Sequence, residues 1–230
     1  MMKIDNKSIS IVIHGGCFEK NAADVANILI NYRKTFEESE IIFSISSSDF
    51  IDFDLSNEKS VFSFKKNMVS FCHIVNKYAD KIAYSYMAQP LPPVFRGAPN
   101  CHANHMIESA RNGLALASRE FVLRTRNDLL FKDRSIVEEY IKLSENYYRK
   151  GKYTVFSSPV MISSLYTLNP FAGGRLPFHY SDWFNFGKLV DIRPIWDVPL
   201  VTLDFMTYYS TNYYMPVSYT HLRAHETSAH

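Results

Sequence analysis

The chain has 230 residues, 47% of them hydrophobic and 21% charged, and this composition suits one large α/β domain with a substantial core. A formal net charge of +2, without any dense Lys/Arg cluster, argues against nucleic acid as a partner. No apolar run is long enough to cross a membrane, no signal peptide is visible, and the three widely spaced cysteines do not suggest a disulfide framework. We therefore expect a cytoplasmic globular protein.

The amino-terminal region has the spacing of a βαβ unit. Residues 8–13 predict a buried strand that ends in His14-Gly15-Gly16, and after an amphipathic helix residues 41–45 predict a second strand that ends near Asp49. The carboxyl ends of such strands are where open α/β sheets bind ligands. The bare backbone at Gly15 would let a nucleotide approach, and Asp49 could bind a ribose or a base. A tight turn and a turn-forming aspartate explain these two residues equally well.

The His14-Gly15-Gly16 turn also resembles the oxyanion-hole strand of α/β-hydrolases. Such enzymes need a Gly-x-Ser-x-Gly elbow, and none of the glycines of this chain supplies one. A dinucleotide site would need Gly-x-Gly-x-x-Gly, which is missing as well. Neither class of protein is favoured.

The middle of the chain predicts a helix near Met68–Tyr78, a short strand near Ile82–Tyr86 and a proline-rich loop over Pro90–Pro99. Asn100 then precedes a clear amphipathic helix, whose apolar stripe runs from Ala103 to Ala117 with a period of 3.6 residues.

The most informative stretch follows that helix, where the apolar run Phe121-Val122-Leu123 leads into Arg124-Thr125-Arg126-Asn127-Asp128. Alternate residues of a strand share one side, so Arg124, Arg126 and Asp128 are predicted to converge at the strand end. Guanidinium forks suit phosphate oxygens, and a carboxylate suits a divalent metal or a ribose hydroxyl. The combination indicates a nucleoside diphosphate, with a salt-bridged ladder as the equally good structural alternative.

The carboxyl-terminal part predicts a helix over Asp133–Tyr148, a strand over Tyr153–Ser157 stopped by Pro159, and a long loop over Ser164–Pro177. A short helix is predicted through Trp183–Phe186, ended by Gly187.

His179, Asp182 and Trp183 gather at the start of this predicted helix. Aromatic faces can stack on sugar rings, and a carboxylate can accept a proton from an attacking hydroxyl. From the residues alone we prefer the structural interpretation, in which Asp182 is a helix N-cap and Trp183 belongs to the core.

Taken together, the chain resembles the WavE family of lipopolysaccharide-synthesis proteins, which are glycosyltransferases with a GT-A-like nucleotide-sugar fold. The resemblance covers about residues 8–214. The matching motifs are the helix Asn104–Leu114, the strand Phe121–Asp128 with its Arg-x-Asp ending, and Phe178–Gly187.

The resemblance implies that Arg126 and Asp128 stand where GT-A enzymes carry Asp-x-Asp, whose acid holds Mn²⁺ or Mg²⁺ against the diphosphate. Asp128 is then the candidate metal ligand. Because Arg126 replaces the other acid, it would supply part of the positive charge, and dependence on Mn²⁺ or Mg²⁺ stays open. A substrate-binding turn is implied at Asn104, although this chain has Asn104-His105-Met106 where the family tends to show Asn-Arg-Gln.

The predicted architecture is a single GT-A-like (Rossmann-like) domain over residues 1–216, with a mostly parallel central sheet and helices on both faces. Residues 217–230 resemble the translation of a sequencing adapter, so we expect the natural chain to continue beyond about residue 216.

The predicted function is transfer of a sugar from a nucleotide-sugar donor to a lipopolysaccharide or other surface-polysaccharide acceptor, either a glycan or lipid-linked. We assign catalysis to Arg126, Asp128 and Asp182, with Asp182 as general base in an inverting reaction. Substrate binding is assigned to His14, Gly15, Asp49, Arg124, Asn104, His179 and Trp183. A cytoplasmic location is expected, with peripheral contact at the inner membrane left open.

Two alternatives from other classes remain. A catalytically silent sugar-nucleotide binding module would bind the donor without turnover. A metal-dependent phosphohydrolase would release phosphate, but it needs more clustered carboxylates than Asp128 and Asp133 provide.

Overall fold

The apolar runs of the sequence assemble into one six-stranded sheet. The computed structural model describes residues 2–15, 22–46, 69, 71–85, 91, 102–146, 155–167 and 180–202. The strands are β1 Ile9–His14, β2 Glu40–Ser46, β3 Lys81–Ser85, β4 Phe121–Arg126, β5 Val160–Ile162 and β6 Phe184–Lys188. The helices are α1 Ala22–Thr35, α2 over residues 71–78, α3 Ala103–Leu116, α4 Ser135–Asn146 and α5 Leu189–Trp196, and a 3-10 turn covers Asn6–Ser8.

The strand order across the sheet is β3-β2-β1-β4-β6-β5. β1 pairs in parallel with both β2 and β4, and β2 pairs in parallel with β3. β6 is antiparallel to both of its neighbours, β4 and β5. The sheet is therefore mostly parallel with helices on both faces, which confirms the predicted α/β architecture.

Alternation along the strands divides the core into two layers. On the back face, Ile11 of β1 and Phe43 of β2 pack with α1, α2 and α4 in the larger apolar cluster. On the front face, Val12 and Val122 pack with α3 and α5, whose largest contribution is Trp196. Both faces of the sheet are covered, which explains why β1 is buried along its whole length.

One predicted element is wrong, because residues 184–188 form strand β6 where a short helix was expected. Successive residues of β6 alternate between the two faces of the sheet: Phe186 lies in the back-face core, while Asn185 pairs with Arg124 on the front. Gly187 does not end a helix. It sits where β5 passes so closely that an added Cβ would lie 2.9 Å from the carbonyl oxygen of Pro159. The expected N-cap role of Asp182 is lost together with the helix.

The fifth strand also differs from its prediction, because it begins after Pro159 and spans Val160–Ile162. Among the described residues before it, Ser157 and Ser158 form a bend held by Asp191 of α5, which accepts hydrogen bonds from both backbone N–H groups and both hydroxyls. Helix α5 was not predicted, and it contains Pro194. Proline in a helix interior is normally a sign against a helix.

The other predicted helices and strands are confirmed: β1, α1, β2, α2, β3, α3, β4 and α4 lie close to their predicted positions. Apart from residue 91, the predicted loop over Pro90–Pro99 lies outside the described residues. The expected cap Asn100 lies outside the described residues, and α3 begins at Ala103 with His102 at the N-cap position. Residues 203–230 also lie outside them, so the proposed limit at residue 216 stays a prediction. In the described part of the chain, no helix is long and apolar enough to cross a membrane.

The amino edge of the sheet is held by one buried carboxylate, that of Glu40, which is 6% exposed. It accepts hydrogen bonds from the hydroxyls of Ser10 (2.5 Å) and Ser118 (2.8 Å) and pairs with Lys81 (2.5 Å). Burial raises the pKa of Glu40, but these hydrogen bonds outweigh it and lower the pKa to about 2. This network joins the starts of β1, β2 and β3.

Candidate functional site

The strand order marks the carboxyl ends of β1 and β4 as the place where open α/β sheets bind ligands. From β1 the sheet runs to β2 and β3 on one side and to β4 on the other, so the direction of winding reverses between these two strands. Their carboxyl ends are in register, with His14 opposite Arg126. The backbone N–H of Asn127 then donates to the carbonyl of His14 at 2.8 Å. The Arg-x-Asp motif and the His-Gly turn, which are more than a hundred residues apart in the sequence, therefore meet at one edge.

Gly15 follows β1 with a φ of 145°, a backbone conformation that side chains rarely adopt. A Cβ on Gly15 would lie 2.4 Å from Oδ1 of Asn127. The glycine is therefore required by the close approach of the β4 turn. This supports the tight-turn interpretation of Gly15, while a role in binding substrate stays a prediction.

Arg126 and Asp128 form a bidentate ion pair at this edge. The guanidinium Nε lies 2.9 Å from Oδ1 and Nη2 lies 2.5 Å from Oδ2. The hydrogen bond from Arg126 lowers the pKa of Asp128, and the reciprocal bond raises the pKa of Arg126. Both groups are therefore ionised at neutral pH. Both side chains are exposed, and only two of the five N–H donors of the guanidinium are used by Asp128.

Arg124 corrects the expectation that all three charged groups converge at the strand end. Its side chain is 0% exposed, and its guanidinium carbon lies 3.9 Å from the ring centre of Trp196. Arg124 lies two residues, roughly 7 Å, before the end of β4 and so under the part of the front face that α5 covers. A ligand at the sheet edge does not reach this guanidinium.

Arg124 does contact the site through the backbone of Asp182, since its Nη1 donates to the carbonyl oxygen of that residue. Its Nε and Nη2 have no hydrogen-bond partner, as far as the structure describes the chain. Burial lowers the pKa of Arg124, the charge of Asp182 raises it, and the charge of Arg126 lowers it.

His14 lies beside Arg124 under the surface, 2% exposed. Its ring meets Trp196 edge to face, with 6.1 Å between the ring centroids. Burial, together with the charges of Arg124 and Arg126, holds the pKa of His14 well below its usual value, so the imidazole is neutral at pH 7. Its Nε2 is buried without a hydrogen-bond partner in the part of the chain that the structure describes. A direct contact between His14 and substrate stays a prediction.

Asp182 and Trp183 reach the same edge because β6 runs antiparallel to β4. Thr125 pairs with Phe184 in the sheet register, so the two residues before Phe184 lie beside the carboxyl end of β4. Trp183 is partly exposed, and its ring centre lies 5.7 Å from the guanidinium carbon of Arg126. The structure therefore does not support the interpretation of Trp183 as a core residue.

Tyr166 was missed by sequence reasoning, which placed it in an undivided loop. Its ring centre lies 5.2 Å from that of Trp183, with the ring planes inclined by 38°. Tyr166 is 68% exposed and has a φ of 61°, which costs about 1–2 kcal/mol for a residue with a side chain. No sequence signal marks a tyrosine for such a conformation, because glycine and asparagine are the usual residues there.

The remaining predicted site residues are placed elsewhere or are not described. Asn104 donates from Nδ2 to the carbonyl of Val201 (2.9 Å) and accepts at Oδ1 from the N–H of Val201 (2.7 Å). The assignment of Asn104 to substrate binding is therefore corrected to a structural role, because its buried amide fastens α3 to residue 201. Asp49 and His179 lie outside the described residues.

A divalent metal does not fit the described residues at this edge. Mg²⁺ or Mn²⁺ is bound in proteins mainly through carboxylate oxygens, and both oxygens of Asp128 are paired with the Arg126 cation, whose charge would repel a divalent ion bound there. In the described ranges, no group of three or more His, Cys, Asp or Glu side chains could hold an ion.

Three comparisons place the chain among known proteins. A family model described as WavE lipopolysaccharide synthesis matches residues 94–226, more than half of the chain. No curated protein matches. Among solved structures, the crystal structure of 4-diphosphocytidyl-2C-methyl-D-erythritol synthase from Anaerococcus prevotii DSM 20548 is 15% identical in sequence. The match covers 98% of this chain and 100% of that one with a TM-score of 0.42, a similarity too low to support an argument.

Proposed function

The chain belongs to the WavE lipopolysaccharide synthesis family, and from this premise we propose that it is a glycosyltransferase with a GT-A-like use of its sheet edge. It moves a sugar from a nucleotide-sugar donor to a lipopolysaccharide or other surface-polysaccharide acceptor. The observation that carries the proposal is the exposed Arg126–Asp128 pair at the carboxyl edge between β1 and β4. We place the reaction in the cytoplasm, at or near the inner membrane surface.

The donor diphosphate binds at Arg126. Its guanidinium keeps three N–H donors after pairing with Asp128, and a planar cation with several donors suits phosphate oxygens. Asp128 orients that guanidinium and offers an acceptor to a ribose or sugar hydroxyl. At the neighbouring strand end, Gly15 brings its backbone close to the donor.

Arg126 neutralises charge on the diphosphate, as a bound metal ion does in enzymes whose acidic residue is not paired with an arginine. The proposed reaction therefore needs no divalent ion at Asp128. Donor binding is expected to persist in EDTA, and added Mn²⁺ is expected to change it little. An absolute requirement for Mn²⁺ or Mg²⁺ would contradict this part of the proposal.

Asp182 acts as the general base. In the transfer step an acceptor hydroxyl oxygen attacks the anomeric carbon while its proton passes to the Asp182 carboxylate. The bond from the anomeric carbon to the phosphate oxygen breaks, and the nucleoside diphosphate leaves with the electron pair. Arg126 stabilises the charge that develops on the leaving phosphate. The attacking hydroxyl and the leaving nucleoside diphosphate are on opposite faces of the anomeric carbon, so the reaction inverts its configuration.

The assay that tests this proposal follows sugar transfer from a panel of nucleotide-sugars to core oligosaccharide. Asp182→Asn and Asp128→Asn are expected to lower the rate by roughly 10²- to 10⁴-fold without unfolding the protein. Glu37→Asn, on the exposed surface of the α1–β2 turn, serves as the acidic control. Wild-type rates in Asp182→Asn would reject the base, and donor binding without turnover would favour a silent binding module.

A further inference from the structure

An aromatic pair, of which Tyr166 is exposed and Trp183 is partly exposed, adjoins the Arg126–Asp128 pair. Tyr166 and Trp183 are in ring contact at 5.2 Å, and Trp183 lies 5.7 Å from the Arg126 guanidinium carbon. The neighbours Leu165 and Tyr180 are also exposed, at 60% and 42%. The apolar surface therefore runs outward from the charged edge of the sheet toward β5.

The turn that carries Tyr166 is built to hold an unfavourable conformation. The Thr167 hydroxyl donates to the Ser163 carbonyl at 2.6 Å and accepts from the Ser181 N–H at 3.0 Å. The Ser163 hydroxyl accepts from the Leu165 N–H at 3.1 Å. These bonds fix both ends of the turn, and the left-handed backbone of Tyr166 costs free energy that its largely exposed ring does not recover by burial.

Strain of this kind tends to cluster at ligand sites, where the surrounding structure fixes a side chain in place before the ligand arrives. A pyranose ring has an apolar face of C–H groups and a rim of hydroxyls. The aromatic pair offers a flat apolar surface, and Arg126 and Asp128 offer charged donors and acceptors at its inner end. This combination of chemistry matches a sugar better than an extended protein interface, which would need a wider apolar area.

We propose that Tyr166 and Trp183 form the subsite for the acceptor sugar, with the terminal pyranose of the acceptor glycan stacked on Tyr166. The inference rests on the proposed function, since it assigns the second substrate of the same site. Stacking there directs the acceptor hydroxyl toward Asp182, the residue next to Trp183 in the chain. Donor binding, which uses Arg126, does not involve Tyr166.

Tyr166→Gly is the informative variant, because glycine adopts a positive φ without strain. It removes the ring and preserves the turn, so the protein is expected to unfold at the same temperature as the wild type or higher. Glu38→Gly is the matched control: Glu38 also has a positive φ of 65°, and it lies in the turn before β2, at the opposite edge of the sheet. Tyr166→Phe keeps the aromatic face.

The probe is the core oligosaccharide released from lipopolysaccharide by mild acid, titrated against each variant by calorimetry. Intrinsic fluorescence supplies a second readout, since the chain has only two tryptophans and Trp196 is buried. We expect Tyr166→Gly to weaken oligosaccharide binding about tenfold or more, while Tyr166→Phe and Glu38→Gly bind like the wild type. Binding of nucleoside diphosphate is expected to be unchanged in all three.

Several results would overturn the inference. Wild-type oligosaccharide affinity in Tyr166→Gly, or no binding of the oligosaccharide by the wild type, would remove the subsite while leaving the donor site intact. Equal loss of nucleoside diphosphate binding would assign Tyr166 to the donor. If Tyr166→Gly instead lost binding only to phosphatidylethanolamine–phosphatidylglycerol vesicles, the patch would be a membrane contact. Failure of the proposed function itself would be seen separately, as absence of donor binding in the wild type.

Discussion

Arg124 is a buried arginine whose guanidinium is only partly hydrogen-bonded by the described residues. Arg193, by comparison, donates to the carbonyls of Leu114, Ala115 and Ala117 and so completes the end of α3. Arg124 has one described acceptor, the Asp182 carbonyl, and two nitrogen atoms without any among the described residues. A buried cation in this condition contributes little to stability. Because its Nη1 donates to the Asp182 carbonyl, we assign Arg124 to the positioning of Asp182.

Replacing Arg124 by Met tests this at the level of the residue. Met keeps the apolar stem near Trp196 and removes a desolvated charge, so we expect the free energy of unfolding to be unchanged or higher by about 1–4 kcal/mol. Transfer should nevertheless slow by about tenfold, because Asp182 loses its anchor, and oligosaccharide and donor affinities should change less than the rate.

The matched variant Arg193→Met should behave in the opposite way, losing about 1–3 kcal/mol of stability as three carbonyls lose their donor. Urea unfolding and transfer assays on the two variants make the comparison. Equal destabilisation in both would mean that Arg124 is an ordinary structural arginine.

At the level of elements, α3 packs closely against the sheet at a glycine. Gly113 of α3 faces Val12 of β1, and a Cβ there would lie 2.5 Å from Cγ1 of that valine. The absent side chain lets the helix approach the strand that carries His14. The distance between α3 and β1 therefore depends on one glycine.

Gly113→Ala should destabilise the protein by about 1–3 kcal/mol, because overpacking outweighs the roughly 1 kcal/mol gain in helix propensity. Val12→Ala alone should also cost stability, since it opens a cavity. In the double variant the new methyl group fills that space, so the two losses should not add. Urea unfolding of all four proteins measures the coupling, and strictly additive losses would show that this contact does not limit the packing.

The sequence was sufficient for the elements whose pattern is local. The apolar runs of β1 and β4 and the stripe of α3 identified those elements, and alternation placed Arg126 and Asp128 at a strand end. The helix predicted through Trp183–Phe186 is wrong because strand β6 depends on pairing with β4 and on the close approach of Pro159 to Gly187. No local pattern carries that information.

The candidate site was also predictable only in part. The Arg126–Asp128 pair is two residues apart and was found. The burial of Arg124 depends on Trp196, which lies seventy-two positions later on a helix containing proline, and the tie between Asn104 and Val201 spans ninety-seven positions. Tyr166 contacts Trp183 from a turn with a positive φ. Contacts between residues so far apart in the sequence depend on the assembled fold, and the spacing of residue types along the sequence does not reveal them.

At the scale of the whole molecule, the two edges of the sheet have different roles. The carboxyl edge carries the candidate site, and the amino edge carries the Glu40 network that joins three strands. Because folding lowers the pKa of Glu40 from about 4.5 to about 2, its contribution to stability is fully present above about pH 4.5. It is lost as the pH falls from there toward 2.

Glu40→Gln should therefore remove a stabilisation on the order of 3 kcal/mol at pH 7, and the decrease in stability between about pH 4.5 and pH 2 should become correspondingly smaller. Urea unfolding at a series of pH values measures both effects. Glu37→Gln, on the exposed surface nearby, should follow the wild type. If Glu40→Gln kept the acid dependence of the wild type, other carboxylates would control it.

The central claim is that the carboxyl edge between β1 and β4 binds a nucleoside diphosphate through Arg126. Calorimetric titration with a panel of nucleoside diphosphates, in EDTA and with Mn²⁺, tests it on the wild type, on Arg126→Ala and on Arg119→Ala, an exposed arginine at the other end of β4. We predict that at least one diphosphate binds in EDTA, that Arg126→Ala weakens it roughly 10- to 100-fold, and that Arg119→Ala leaves it unchanged. Binding of none, or equal affinity in Arg126→Ala and the wild type, would contradict the claim.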